Sequence, residues 1–166
     1  MVSACTQEAH ATAAASASTS ELLVFVLLIA VIALCCLKTA GGGGYAINLG
    51  ADAKTLKIEG EENITVYHAL IKDEETGETN ISPAERRFCK KCGSSLWRCD
   101  PRWPELVHPF ASVIDTELPI PPEHSHMMLN SKASWVEVDK QTHDKCFAEY
   151  PDESLADWHL RLNLNA

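Results

Sequence analysis

Two cysteines near the middle of the chain have the spacing of a metal-binding turn. Cys89 and Cys92 are separated by two residues, and Gly93 follows them. Thiolates at this spacing can bind the same tetrahedral zinc ion, and a glycine after the second cysteine allows the tight turn that brings them together. Lys90 and Lys91 lie between them, and we expect these cations to lower the pKa of the two thiols. Two further interpretations remain open: a redox pair, and two reduced cysteines in a turn.

The other potential ligands are scattered and form weaker patterns. Cys99 and Cys146 stand apart from the pair, and we expect both to be partly buried thiols rather than ligands. His124 and His126 have a spacing that could chelate a metal ion, but their proline-rich surroundings favour ordinary exposed histidines. We expect His108 to pack within a strand.

Three tryptophans and one aspartate complete the candidate residues. Trp97, Trp103 and Trp135 could stack on a ligand, but packing in the core or in the proline-rich arm is the better interpretation. We assign no catalytic role to Asp115.

The charge and cysteine content of the chain exclude some classes of protein. The chain has 14 Lys and Arg against 23 Asp and Glu, a net charge of −9, so it should repel a nucleic-acid backbone. No basic run is longer than the pair Lys90-Lys91. The cysteines number seven, and an odd count with one tight pair is not typical of a secreted disulfide framework. We therefore expect a cytoplasmic protein.

The first 40 residues differ from the rest of the chain. Residues 1–21 contain the low-complexity run ATAAASASTS, and we predict that they are disordered. Residues 22–40 begin with an unbroken apolar run of 16 residues from Leu22 to Leu37, predicted as a helical segment. A membrane-spanning helix usually needs about 20 residues. Three interpretations stay open: a short transmembrane anchor with the following domain in the cytosol, a buried core segment, or sequence foreign to the natural fold.

Residues 41–166 are predicted to form one mainly β domain. The four glycines from Gly41 to Gly44 provide a flexible or tightly turning joint. Alternating and β-branched stretches then predict strands at residues 45–49, 55–58, 64–71, 107–114 and 134–138.

Loop and helix signals complete this outline. Residues 73–82 are predicted to form a loop, and Pro119, Pro121 and Pro122 exclude regular structure around them. A short helix is predicted near the C-terminus, because Ser154 can cap it with Asp157 three residues on. The face shared by Leu155, Trp158 and Leu162 would be buried.

A longer pattern surrounds the cysteine pair. It comprises a Cys-x-x-Cys-Gly turn, an aromatic strand, a proline-rich arm, a His-Pro-x-Ala-Ser-x-Ile-Asp strand and a Trp-Val end. The matching residues are Cys89, Cys92, Gly93, Trp97, the segment 100–104, His108, Pro109, Ala111, Ser112, Ile114, Asp115, Trp135 and Val136. From about Cys36 to His159 the chain resembles the glutathione-dependent formaldehyde-activating enzymes, a family that includes centromere protein V-like domains.

The resemblance implies a fold, a reaction and a set of zinc ligands. The implied fold is a mainly β "β-tent" of small antiparallel sheets stapled by zinc. The implied reaction adds glutathione to formaldehyde, that is, a carbon–sulfur lyase of the S-(hydroxymethyl)glutathione synthase type run in reverse. Cys89 and Cys92 would belong to a structural zinc site in such a fold.

The chain departs from the family pattern at its N-terminal end. The family has an early Cys-x-Cys that completes the structural zinc site, and a later Cys-x-Cys-x-x-Cys that binds a second, catalytic zinc. Cys36 matches only the last cysteine of that later motif, because Val31 and Ala33 stand where the other two should be. We therefore hypothesise that residues 1 to about 34 are not family sequence, which sequencing of the native transcript would test. Impaired activity is expected, and the alternative is a non-catalytic zinc-binding structural or interaction module.

Overall fold

The computed structural model describes residues 25–31, 43–73, 75–138 and 143–164. These residues form mainly β-structure with one short α-helix near the C-terminus, as predicted. They divide into two compact units: residues 51–116, and residues 25–50 with 117–164. Each unit is built around its own sheet.

The sheet of the first unit is antiparallel throughout. Its strands, in the order in which they lie side by side, are β3 (Ile64–Lys72), β4 (Thr79–Cys89), β5 (Ser95–Cys99), β6 (Leu106–Pro109) and the end of β2 (Ala46–Asp52). The core of this unit contains Leu96, Trp97, Val107 and Phe110, all at most 3% exposed. Strand β5 therefore lies at the centre of the packing and leads directly out of the cysteine turn.

The connection between β3 and β4 is shorter than the sequence predicted. The carboxylate of Asp73 accepts hydrogen bonds from the N–H groups of Glu75 and Thr76, which closes a tight turn. Strand β4 then begins at Thr79 rather than after residue 82. Pro83 lies within β4 where the register shifts, which is where a strand tolerates a residue without an N–H group.

The sheet of the second unit mixes parallel and antiparallel pairs. Strand β1 (Phe25–Val31) pairs antiparallel with β2 and parallel with β7 (Ser125–Met127), which pairs parallel with β8 (Lys145–Cys146). The expectation of purely antiparallel sheets is therefore wrong for this unit.

The predicted N-terminal helix is wrong for residues 25–31, because they form strand β1. A short apolar run rich in valine and isoleucine suits a strand as well as a helix, and pairing on both sides satisfies its backbone. The other residues of the apolar run, and the predicted disorder of residues 1–21, lie outside the described residues. Within the described ranges, no helix has the length and hydrophobicity needed to cross a membrane.

The short helix near the C-terminus, α1 (Leu155–Arg161), has the predicted cap. The Ser154 hydroxyl accepts a hydrogen bond from the N–H of Asp157 at 3.1 Å and donates one to its carboxylate at 2.6 Å. Trp158 is 1% exposed, and Leu155 and Leu162 beside it are half-buried. The predicted helix face is thus the buried one.

Three of the predicted strands fail or shorten for local reasons. The strand predicted at 55–58 is absent: residues 53–55 form a 3₁₀ turn, because the carboxylate of Asp52 accepts the N–H of Lys54 at 2.9 Å, and residues 56–58 have no regular structure. The strand predicted at 134–138 is absent: residues 134–135 form a turn, residues 136–138 have no regular structure, and the side chain of Lys132 donates to the carbonyl of Val136. The strand predicted at 107–114 ends at Pro109, beyond which a second 3₁₀ turn follows. The predicted strands at 45–49 and 64–71 are confirmed as parts of β2 and β3.

Candidate functional site

Residues 89–94, which we call the knuckle, form the turn between β4 and β5. The N–H of Cys89 donates to the carbonyl of Ser94 at 2.9 Å, and the N–H of Gly93 donates to the carbonyl of Cys89 at 2.8 Å. Gly93 has a φ of +74°, in the left-handed region that favours glycine. The tight turn predicted from the Cys-x-x-Cys-Gly pattern is therefore confirmed.

The two thiols of the knuckle lie in different environments. Cys89 is 1% exposed, whereas Cys92 faces solvent. The pKa of the Cys92 thiol is lowered mainly by the hydroxyl of Ser94, 3.1 Å from its sulfur, and further by the N–H of Ser94 and by the thiol of Cys89. Since a cysteine binds metal as its thiolate, this pair fits two of the four positions around a tetrahedral zinc ion.

Lys90 of the knuckle makes contacts that the sequence did not predict. The side chain of Lys90 donates to the carbonyl of Glu62 at 2.8 Å, and its backbone N–H donates to the carbonyl of Asn63. Lys90 thus ties the knuckle to the residues just before β3, and the hydroxyl of Ser94 is the largest cause that favours the thiolate at Cys92. A hydroxyl two residues beyond a cysteine is the signal that could have identified Ser94 from the sequence.

The described residues do not bring a third ligand to the knuckle. Cys36 lies outside them, and so do Cys5 and Cys35. In the part of the chain that the structure describes, no three His, Cys, Asp or Glu side chains are arranged so that together they could hold a metal ion. Val31, at one of the positions where the family pattern calls for a cysteine, is the last residue of β1.

The two other cysteines with described positions behave as partly buried thiols, as predicted. The sulfur of Cys99 lies 3.5 Å from a carboxylate oxygen of Glu85. Burial raises the pKa of the Cys99 thiol, and the charge of Glu85 raises it further. Cys146 is half-buried in the short strand β8. Cys99 is therefore a poorer thiolate than Cys92.

The prediction that His124 and His126 are ordinary exposed histidines is wrong. Nδ1 of His124 lies 2.9 Å from one oxygen of Asp144, and Nε2 of His126 lies 3.3 Å from the other. The side chain of Asp144 is 2% exposed, and those of the histidines are 30% and 14% exposed. The sequence did not reveal this cluster, because Asp144 lies 18 to 20 positions away in the chain.

The aromatic candidates separate into buried and exposed residues. Trp97 is 3% exposed and packs in the core, as predicted. Trp103 is 47% exposed, with the guanidinium of Arg102 4.8 Å from its ring centre. Trp135 is 67% exposed, so the prediction of packing is wrong for both Trp103 and Trp135. His108 lies half-buried in β6, in agreement with the prediction.

A second charged cluster anchors α1 in its own unit. Arg161 donates to both Glu123 and Glu153 at 2.7 Å, and Lys145 lies 2.9 Å from Glu153. Glu123 also accepts the indole N–H of Trp158. These contacts hold the proline-rich segment against the helix, a structural role that the sequence analysis missed.

Comparison with known proteins places the chain in a family. It matches no protein-family profile, and no solved structure matches it significantly. It is 59% identical over 122 residues to a protein of Halomonas elongata whose name assigns it to the glutathione-dependent formaldehyde-activating enzymes. The match covers 74% of this chain and 74% of the relative. The chain therefore belongs to the family of glutathione-dependent formaldehyde-activating enzymes.

Proposed function

We propose that the chain catalyses the addition of glutathione to formaldehyde, with reduced activity. The observation that carries this proposal is the 59% identity over 122 residues to the Halomonas relative. In the reaction the sulfur of glutathione forms a bond to the aldehyde carbon, the C=O double bond becomes a single bond, and the thiol proton passes to the oxygen. No oxidant or reductant is consumed, and the product is S-hydroxymethylglutathione.

We further propose that Cys89 and Cys92 supply two ligands of a structural zinc ion. The hydrogen bond between the two thiols, the lowering of the Cys92 pKa and the tight turn at Gly93 support this role. Cys36 is the remnant of the second zinc motif. Bound zinc stabilises thiolates and can act as a Lewis acid toward an aldehyde oxygen.

This chain's own residues give the knuckle its shape and its charge preference. The backbone hydrogen bonds of Cys89 and Gly93 fix the turn, and the hydroxyl of Ser94 lies 3.1 Å from the sulfur of Cys92, where it can donate to the thiolate. Cys89, at the end of β4, is buried and so anchors the exposed turn to the first unit's core. Loss of metal binding should therefore reduce the stability of this unit, as in other small zinc-stapled domains.

The second candidate function is a zinc-binding module without catalysis. It is favoured by the presence of Val31 and Ala33 where the family pattern has ligating cysteines. A chain of this kind would keep the zinc at the knuckle and lose the addition reaction. Neither candidate involves nucleic acid, since the net charge is −9.

Zinc content and reaction rate, measured together, distinguish the two functions. Zinc is measured by mass spectrometry on the full chain purified without a metal-binding tag. The rate is that of exchange between ¹³C-formaldehyde and its glutathione adduct, measured by NMR with and without protein because the adduct also forms spontaneously. Cys89→Ser should lose one zinc per chain, whereas Cys99→Ser, the control outside the knuckle, should lose none.

Bound zinc with faster exchange than in buffer supports the enzyme, and Cys36→Ser should then slow the exchange. Bound zinc without faster exchange supports the non-catalytic module. A chain that binds no zinc and leaves exchange unchanged contradicts both proposals.

A further inference from the structure

Strand β3 has an open edge. It is the last strand in the order of the first unit's sheet, so within the described part of the chain only β4 pairs with it. The carbonyl of Asn63 accepts from Lys90 and the N–H of Asp73 donates to Glu78, so the odd-numbered positions bond to β4. The even-numbered positions therefore direct their N–H and C=O groups to the open edge: Ile64, Val66, His68, Leu70 and Lys72.

The side chains along this edge are unusually apolar for an exposed strand. Val66 is 41% exposed, Tyr67 46%, Leu70 66% and Ile71 55%. Ile81, which lies opposite Leu70 on β4, is 70% exposed and widens the apolar surface. Edge strands usually carry charged residues or prolines, or are short, because their unpaired backbone N–H and C=O groups could otherwise pair with another strand.

Strand β3 lacks these protective features. It is nine residues long, and its first charged residue other than a histidine is Lys72 at its end. The irregularity in its pairing lies in β4, where residues 82–84 face the single residue Ala69. The edge that β3 presents is therefore long and continuous.

The sequence of β3 is complementary to itself in one antiparallel register. With Tyr67 on a twofold axis, Leu70 of each copy lies opposite Ile64 of the other, and Lys72 lies across from the exposed Glu62, which stands in the 3₁₀ turn directly before β3. The open-edge positions then face each other, as an antiparallel ladder requires. With His68 on the axis instead, the two His68 rings would oppose each other and Lys72 would face Ile64 without a counter-charge.

We propose that β3 is the interface of a homodimer, in which the two copies pair their β3 strands antiparallel with Tyr67 on the axis. The dimer joins two sheets into one, and the backbone ladder supplies most of the contact. A single strand pair buries less surface area than the roughly 1,200–2,000 Å² of a standard interface. We therefore expect the dimer to have a dissociation constant on the order of micromolar. This inference does not depend on the proposed function.

Sedimentation of the full chain, in reducing buffer and over a concentration series, tests the dimer. The unaltered chain should dimerise reversibly. Leu70→Lys places a charged residue on the open edge and should give a monomer across the series. Its circular dichroism spectrum should stay unchanged, because Leu70 is exposed. Leu160→Lys is the matched control, since Leu160 is 71% exposed on α1 and should leave the dimer intact.

Charge reversal and cross-linking test the register. Lys72→Glu or Glu62→Lys alone should weaken association about three- to tenfold, and the double variant should restore it. Tyr67→Cys should form a disulfide-linked dimer under mild oxidation more readily than His68→Cys, because directly opposed Cα atoms at such a position lie about 4.5 Å apart. The unaltered chain gives the background from its own thiols.

Three results would overturn the proposal. The first is a chain that stays monomeric throughout the series, as when another segment of the same chain covers the edge. The second is association that Leu70→Lys leaves unchanged. The third is preferential cross-linking through His68→Cys, which would place the axis elsewhere.

Discussion

The indole N–H of Trp158 donates to a carboxylate oxygen of Glu123 at 3.0 Å, across 35 positions of sequence. Both residues are buried, and the same carboxylate accepts two hydrogen bonds from Arg161. The side chain of Glu123 therefore joins the proline-rich segment to α1 through two residues of the helix, the neutral indole of Trp158 and the cationic Arg161. Removing this carboxylate therefore takes away the acceptor of Trp158 and a counter-charge of Arg161 together.

Glu123→Ala should reduce the free energy of unfolding by about 1–3 kcal/mol, because the buried N–H of Trp158 loses its acceptor and Arg161 loses one of its two carboxylate partners. Urea unfolding followed by tryptophan fluorescence measures this change. Glu117→Ala is the control, since Glu117 is exposed and should change stability by less than about 0.5 kcal/mol. Equal effects of the two substitutions would show that the contact with Trp158 contributes nothing.

Acid should weaken the cluster around Arg161. Hydrogen bonds from Arg161 are the main cause that lowers the pKa of Glu153 from 4.5 to about 2, and they lower the pKa of Glu123 as well. Because the folded-state values lie below the unfolded ones, this stabilisation is complete above about pH 4.5 and is lost as the pH falls toward 2.

Arg161→Gln should therefore make the free energy of unfolding depend less on pH between about 4.5 and 2. Lys57→Gln removes the same charge from an exposed position and is the control. Urea unfolding at several pH values gives both curves. If the two variants lose stability in parallel with the unaltered chain, the cluster does not supply the acid sensitivity.

Ser94→Ala should raise the pKa of the Cys92 thiol in metal-free protein, because the largest of the hydrogen bonds that favour the thiolate is removed. The pH dependence of alkylation at Cys92, read by mass spectrometry of the peptide, measures the shift. Alkylation of Cys99 in the same sample is the internal control, since its pKa is set by burial and Glu85. An unchanged midpoint at Cys92 would rule out this role for Ser94.

Gly44→Ala should destabilise the protein more than Gly77→Ala. Both glycines have positive φ, +87° and +72°, so each alanine bears a backbone cost of about 1–2 kcal/mol. A Cβ at position 44 would also lie 2.2 Å from Cγ2 of Val136, whereas one at position 77 would meet nothing within 4 Å. The clash should add about 1–3 kcal/mol.

Urea unfolding of the two glycine variants measures the difference, and each serves as the other's control for the backbone cost. Equal losses of stability would mean that Val136 moves aside freely. A larger loss for Gly77→Ala would contradict the assigned contacts.

Local signals in the sequence predicted the structure where chemistry acts over a few residues. The cap made by Ser154 and Asp157 and the turn at Gly93 are both confirmed, because the donors and acceptors lie within four positions of each other. The run that forms β1 was misassigned, since an apolar stretch without polar neighbours has neither the helical nor the strand period.

Long-range partners could not be found in this way. Asp144 meets His124 and His126 only because β7 and β8 lie side by side. Because the two strands are parallel, no hairpin turn connects them, and the sequence has no local signal for their pairing. Arg161 and Glu123, which are separated by 38 positions, are likewise a contact that no local sequence signal predicts.

The two sheets also differ in how early they can form during synthesis and folding. Strands β3 to β6 follow one another along the chain and pair with their immediate successors, so their contacts close short loops. Strand β1 has to wait for β7, because Ile29 pairs with Ser125. Contacts of such separation slow folding. On the ribosome, strands β3 to β6 can therefore pair while β1 still lacks its neighbour β7. Strand β1 is thus among the last strands to reach its final pairing.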